Sequence, residues 1–164
     1  MKLRTTLFAA LAAAVCLPAL AQEPVVGVKN PESLFKDSDP HLNQMKQVAL
    51  HIMKDLLQCN HWDQAGKWLT ARYIQHNPNA ADGLEAVVKF FSRLKPTPTC
   101  DKLTTPIVAV MAEGDLVMVA RPQQYKDPRH PGQSYTSTWF DMWRIKDGKA
   151  DEHWDNDTLR PPPQ

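Results

Sequence analysis

The stretch SYTSTWFDMWRIKDGKADEHWDND, residues 134–157, decides how the chain is read. Its first half is rich in β-branched and aromatic residues, the composition of a strand. Lys146-Asp147-Gly148 then offers a turn, and a second, polar-looking strand follows. A hairpin is therefore expected, and its register decides which side chains meet. A three-residue loop with Gly148 in the left-handed region would set Trp143 opposite Asp151 and Asp141 opposite His153. A two-residue Asp147-Gly148 turn would slip the pairing by one and put Asp141 on the face of Trp154 instead. The longer loop is preferred here. It gathers Trp139, Asp141, Trp143, His153 and Asp155 on one face, with Phe140, Met142, Arg144, Glu152 and Trp154 on the other. In either register His153 and Asp155 stay together, being two apart on one strand.

Working outward, "TPIVAVMA" (105–112) and "DLVMVARP" (115–122) flank Glu113-Gly114 and read as an earlier hairpin. The segment 123–134 between the hairpins is polar and proline-containing, an expected excursion. Upstream the period changes. Leu42, Met45, Val48, Ile52 and Leu56 recur every three or four residues after Asp39-Pro40, an aspartate cap with proline in the first turn. That helix should end near Cys59-Asn60. A short helix is expected over 61–70 and a third from about Asp82, carrying Leu84, Val87, Val88 and Phe91. "ARYIQHNP" (71–78) cannot stay helical, because Pro78 pushes Asn77 out of the helical region. Helices first and two hairpins after predict an α+β domain: a cone-shaped, curved antiparallel sheet packed against three N-terminal helices. The open end of such a cone is a pocket for a small molecule.

The chain ends bound the domain. Residues 1–21 combine a basic start, an apolar run from Leu7 to Leu20 and a small-x-small site at Ala19-Leu20-Ala21, the layout of a cleaved signal peptide. The apolar run is shorter than the ~20 residues of a membrane span. Residues 22–40 read as an extended leader, 41–158 as the domain, and 159–164 as a proline-rich tail. A secreted or periplasmic protein is expected. In that oxidising setting Cys59 and Cys100, the two cysteines left after cleavage, are expected to form a disulfide. With 19 basic and 18 acidic residues, the net charge of +1 leaves no electrostatic footprint for nucleic acid.

A carboxylate beside an imidazole, ringed by tryptophans, is a candidate proton-transfer site, because burial and neighbouring charge can tune both groups. Each residue also has a plainer reading. His76 could cap the turn before Pro78, Tyr73 could sit in the core or rim, and Trp139 and Trp143 could be pocket wall.

"YIQHNPNAADGLEAVVKFF" (73–91) together with "FDMWRIKDGKADEHWDN" (140–156) resembles the SnoaL-like proteins, in particular the predicted aldol-condensation enzymes, within the nuclear transport factor 2-like superfamily. The resemblance spans about residues 41–157 and implies a cone of three helices on a curved sheet. It also implies cofactor-independent acid/base chemistry next to a carbonyl: aldol cyclisation, isomerisation or dehydration of a small hydrophobic ligand. By position it makes Asp155 the acid/base carboxylate. His76 would face Asp155 across the cavity, Asp141 would stabilise an oxyanion, and His153 would orient or share a proton. Tyr73, Trp139 and Trp143 would contact the substrate. No metal is implied, although His76, His153 and Asp155 are acceptable ligand types. A homodimer through the sheet is expected. The alternative is an exported small-molecule-binding protein of the same fold without turnover. Ala150-Asp151 departs from the family, whose members usually carry an apolar pair after the Gly-Lys turn.

Overall fold

A computed structural model describes residues 22–161. The expected signal peptide and the last three residues of the tail lie outside that range. The first helix, α1 (Pro40–His51), starts as its sequence requires. Asp39 accepts hydrogen bonds from the backbone N–H of His41 and Leu42 at 2.8 and 3.0 Å, and Pro40 occupies the first turn. The helix then widens into a π-helical segment, Ile52–Gln58, and stops at Asn60 in the left-handed conformation (φ 59°). Met45, Val48, Ile52 and Leu56 of the expected apolar face are buried, joined by Ala49 and Met53. The second helix is a short 3-10 segment, Trp62–Lys67, and the third is α2 (Leu84–Phe91).

Five strands form one mixed sheet in the order β1-β5-β4-β3-β2. They are β1 (Leu69–Gln75), β2 (Ala109–Glu113), β3 (Leu116–Lys126), β4 (Ser134–Lys146) and β5 (Lys149–Asp155). The four expected strands are β2 to β5, antiparallel as predicted. Strand β1 is an addition: it occupies part of the span expected as the second helix and pairs parallel to β5. The expected excursion after residue 122 is shorter than predicted. β3 and β4 remain paired as far as Lys126 and Ser134, and Tyr125 stacks on Tyr135 at 5.6 Å.

The register of the last hairpin corrects the sequence reading. Lys146 pairs with Lys149 across a two-residue turn, and both Asp147 (φ 49°) and Gly148 (φ 74°) are left-handed, as a type I′ turn demands. By itself this turn would have moved Asp141 to the face of Trp154. The pairing shifts again, however, between Ile145↔Ala150 and Arg144↔Glu152, so that Asp151 is an extra, bulged residue. Two one-residue offsets restore the parity. Trp143 pairs with His153 and Asp141 with Asp155, two residues away from the preferred register but on the expected faces.

Asp151, the departure from the family pattern, is a buried tie between strands. It accepts from Thr70 Oγ1 at 2.7 Å and from Arg72 Nε and Nη2 at 3.1 and 2.5 Å, both on β1. The expected leader packs on the domain. A 3-10 turn (Pro31–Phe35) buries Phe35 completely, and Val28 N–H donates to the Ile107 carbonyl at 2.8 Å. Cys59, at the end of the π-helical segment, is disulfide-bonded to Cys100, with Cα atoms 6.0 Å apart. Among the described residues no helix is long and apolar enough to cross a membrane.

Candidate functional site

The concave side of the sheet and the helices enclose a cavity of about 390 Å³. Its apolar wall comes from Ile52 and Leu56 of the π-helical segment, from Trp62, and from Val87, Phe90 and Phe91 of α2. The Trp62 ring stacks on Phe91, and its Nε1–H has no acceptor among the described residues. The opposite wall is polar. Alternation along the strands delivers Tyr73 and Gln75 from β1, Arg121 from β3, Trp139, Asp141 and Trp143 from β4, and His153 and Asp155 from β5.

Asp141 and His153 form a buried pair, with His153 Nε2 3.3 Å from Asp141 Oδ1. Asp141 Oδ1 also accepts from the Trp139 indole at 3.0 Å, and Oδ2 accepts from Arg121 Nε at 3.2 Å. Burial works to raise the Asp141 pKa. The hydrogen bond and charge of His153, the charge of Arg121 and the Trp139 N–H outweigh it and hold the carboxyl below its usual range. Asp141 is thus held as an anion by His153, Arg121 and Trp139, although a carboxylate oxygen of Asp155 lies within 4.8 Å of it. Where the resemblance implies an oxyanion-stabilising acid, the structure shows Asp141 anchoring His153 and Arg121.

A carboxylate only accepts, so His153 Nε2 carries its hydrogen. The other ring nitrogen, Nδ1, faces the Gln75 amide at 2.7 Å. An amide can present either its oxygen or its nitrogen, so Gln75 can partner Nδ1 with or without a proton.

Asp155 is half-buried and differently placed. Its Oδ2 accepts from Asn77 Nδ2 at 2.7 Å and its Oδ1 from the Asp157 N–H at 3.0 Å, which leaves lone pairs on both oxygens. Tyr73 lies in the same cavity. Its oxygen accepts from the Trp143 indole at 3.1 Å, which leaves its own hydrogen available to a ligand. Burial pushes the phenol well above its ordinary range, so it stays protonated, and the charges of Asp141 and Asp155 push the same way.

His76 is not brought to this site. Tyr73 and Gln75 face the cavity, so the residue between Gln75 and Asn77 faces out. Its ring stacks on Trp154 with centroids 4.6 Å apart, and its Nε2 lies 3.1 Å from Glu152 Oε2 on the convex face. Gln75, Asn77 and Arg121 are the polar wall residues that the sequence reading missed. Asp141, His153 and Asp155 do offer metal-ligand atoms within 4.8 Å of one another. A cation there would have to displace Arg121 and the imidazole N–H from Asp141, so the donor set as built does not suit one.

The C-terminal segment completes the mouth. Asn79 Nδ2 donates to Asp157 Oδ2 (3.1 Å) and to the Thr158 carbonyl (2.9 Å), while the Arg160 N–H returns to Asn79 Oδ1 (2.9 Å). The start of the expected tail is therefore fastened across the 77–79 turn.

A family model described as a SnoaL-like domain matches residues 53–153. No curated protein matches. Among solved structures, a candidate polyketide cyclase from Acidithiobacillus ferrooxidans has a TM-score of 0.51 at 13% identity, covering 73% of this chain and 89% of its own. A candidate SnoaL-like polyketide cyclase from Jannaschia sp. CCS1 has a TM-score of 0.51 at 20% identity, covering 74% and 91%. At these identities the likeness is one of fold.

Proposed function

This chain belongs to the SnoaL-like domain family, and we propose that its cone performs cofactor-independent acid/base proton transfer next to a carbonyl of a small, largely apolar ligand. Aldol cyclisation, isomerisation and dehydration all begin with that step. The fold alone does not choose among chemistries. The observation that carries the reading is the pairing of Asp155, a carboxylate with lone pairs open to the cavity, with the Tyr73 hydroxyl, whose hydrogen is uncommitted.

In this mechanism Asp155 takes the proton from the carbon next to the carbonyl. Tyr73 donates to the carbonyl oxygen as negative charge builds there, in an apolar setting where such a bond is worth most. His153, fixed by Asp141 and Gln75, takes up or returns a proton along the polar wall. Trp139 and Trp143 spend their indole N–H groups on Asp141 and Tyr73, so they hold the machinery as well as forming the wall. His76 has no part in it.

The reading extends to location and assembly. Residues 1–21 direct export, and the Cys59–Cys100 disulfide supports an oxidising compartment. A homodimer forms through the convex sheet face. Its support is one cross-strand row of Met111, Met118, Met142 and Trp154, with Phe140 exposed beside it.

Native mass spectrometry of the purified protein for a retained small molecule, followed by turnover of that molecule, tests the function. Asp155→Asn should keep binding and lose turnover. Unchanged turnover in that variant removes Asp155 from its role, and retention without any turnover leaves a binding protein.

A further inference from the structure

Three arginines line the cavity, and they are not equivalent. Arg121 is committed to the polar wall, with Nε on Asp141 and Nη1 on Gln123 Oε1 at 2.8 Å. Arg160 is committed to the C-terminal segment through its ion pair with Asp157. Arg93 has no carboxylate within ion-pairing distance among the described residues. It is exposed, so it stands at the rim. Its guanidinium carbon lies 4.9 Å from the Phe90 ring centroid, which orients the group without neutralising it. Two apolar side chains, Phe90 against the guanidinium and Leu57, also line the cavity while 39% and 37% exposed.

We infer that the ligand of this cone is an amphipathic carboxylic acid, its apolar body inside and its carboxylate on Arg93 at the rim. This rests on the reading of the cone as a ligand site. An uncharged ligand would use the apolar side chains and leave the cation idle. A simple anion would use the cation and leave the apolar surface in water. An acid on an apolar body satisfies both. The orientation also follows from charge. On the polar wall Arg121 is already engaged by Asp141 and the Asp155 carboxyl lies beside them, so a ligand carboxylate is turned away from that wall and towards Arg93. The reacting carbonyl is then delivered to the polar wall, beside Asp155 and Tyr73.

Isothermal titration of the intact protein with 2-naphthylacetic acid and with its methyl ester tests this. The two probes share an apolar body and differ in charge. Wild type should bind the acid about 1.5- to fivefold more tightly than the ester, the range for an ion pair at an exposed site. That preference should shrink between about 0.05 and 0.5 M salt. Arg93→Gln should bring the ratio of the two affinities to about one, and Arg93→Lys should keep part of it, because the position is exposed and both variants should fold. Equal affinities in wild type, or a preference that survives in Arg93→Gln, overturn the inference while the cone stands as a ligand site. Failure of both probes to bind overturns that underlying reading too.

Discussion

Asp151→Asn tests how the site is placed on its face of the sheet. Asp151 is the bulged residue that restores the parity of β5, and its side chain is 6% exposed. It accepts one hydrogen bond from Thr70 and two from Arg72. Asparagine keeps the shape and one acceptor but turns an amide N–H₂ or a neutral oxygen towards a guanidinium. Hydrogen bonds to charged groups contribute about 1.5–3 kcal/mol each, but Arg72 is 57% exposed and regains water when released. The net loss is therefore about 2 kcal/mol for the whole cluster. In a domain of this size that lowers Tm by about 5 °C. The pH dependence supplies an internal check. The Arg72 hydrogen bonds, then that of Thr70, hold the Asp151 pKa below its ordinary value. A depressed carboxylate contributes stability that is present above its unfolded value, about 3.9, and is lost as pH falls through the folded value. The gap between wild type and Asp151→Asn in urea midpoint should be full at neutral pH and close below about pH 4. Equal midpoints at neutral pH, or a gap that persists in acid, would refute the reasoning.

Other expectations follow from the same geometry. The disulfide closes a loop of 41 residues, so reducing it, or Cys59→Ser with Cys100→Ser, should cost up to about 4 kcal/mol, read as a fall in Tm on adding reductant. Asp141→Asn leaves Arg121 and His153 without their shared counter-charge; destabilisation of about 3 kcal/mol by denaturant titration is expected, with loss of any turnover. His76→Ala should leave turnover within about twofold, because the ring sits on Trp154 at the convex face, whereas a catalytic histidine would cost about a hundredfold or more.

Most of this fold was legible from local signals. The Asp39-Pro40 start and the apolar stripe to Leu56 each depend on neighbours within a few residues, and both appear where expected; the last hairpin also turns at Gly148, but through two residues instead of the preferred three. Strand β1 was not legible, because its support is remote: it is held by β5, some eighty residues later, and "LTARYIQ" has no clean alternation of its own. The grouping of Asp141, His153 and Asp155 on one face was reached, although the bulge that produces it was not. Asp151 carried no sign that it would bond β1 instead of the solvent.

The site residues divide similarly. Position by resemblance set His76 against Asp155, yet parity along β1 already excludes it once Tyr73 faces inward. The same parity would have found Gln75 and Asn77. Arg121 could have been found from β3, two residues beyond the inward Val119 and opposite Trp139. Amides and arginines in strands carry no chemical signature, so only the register reveals them.

The central claim is that Asp155 moves a proton next to a bound carbonyl. Exchange of the α-hydrogens of a cyclic ketone such as 2-tetralone in D₂O, followed by NMR, measures that step without knowledge of the natural substrate. Wild type should accelerate exchange over buffer, and Asp155→Asn should lose about a hundredfold or more of that acceleration while still binding the ketone. Exchange in wild type no faster than in buffer while the ketone is bound, or equal rates in wild type and Asp155→Asn, would contradict it.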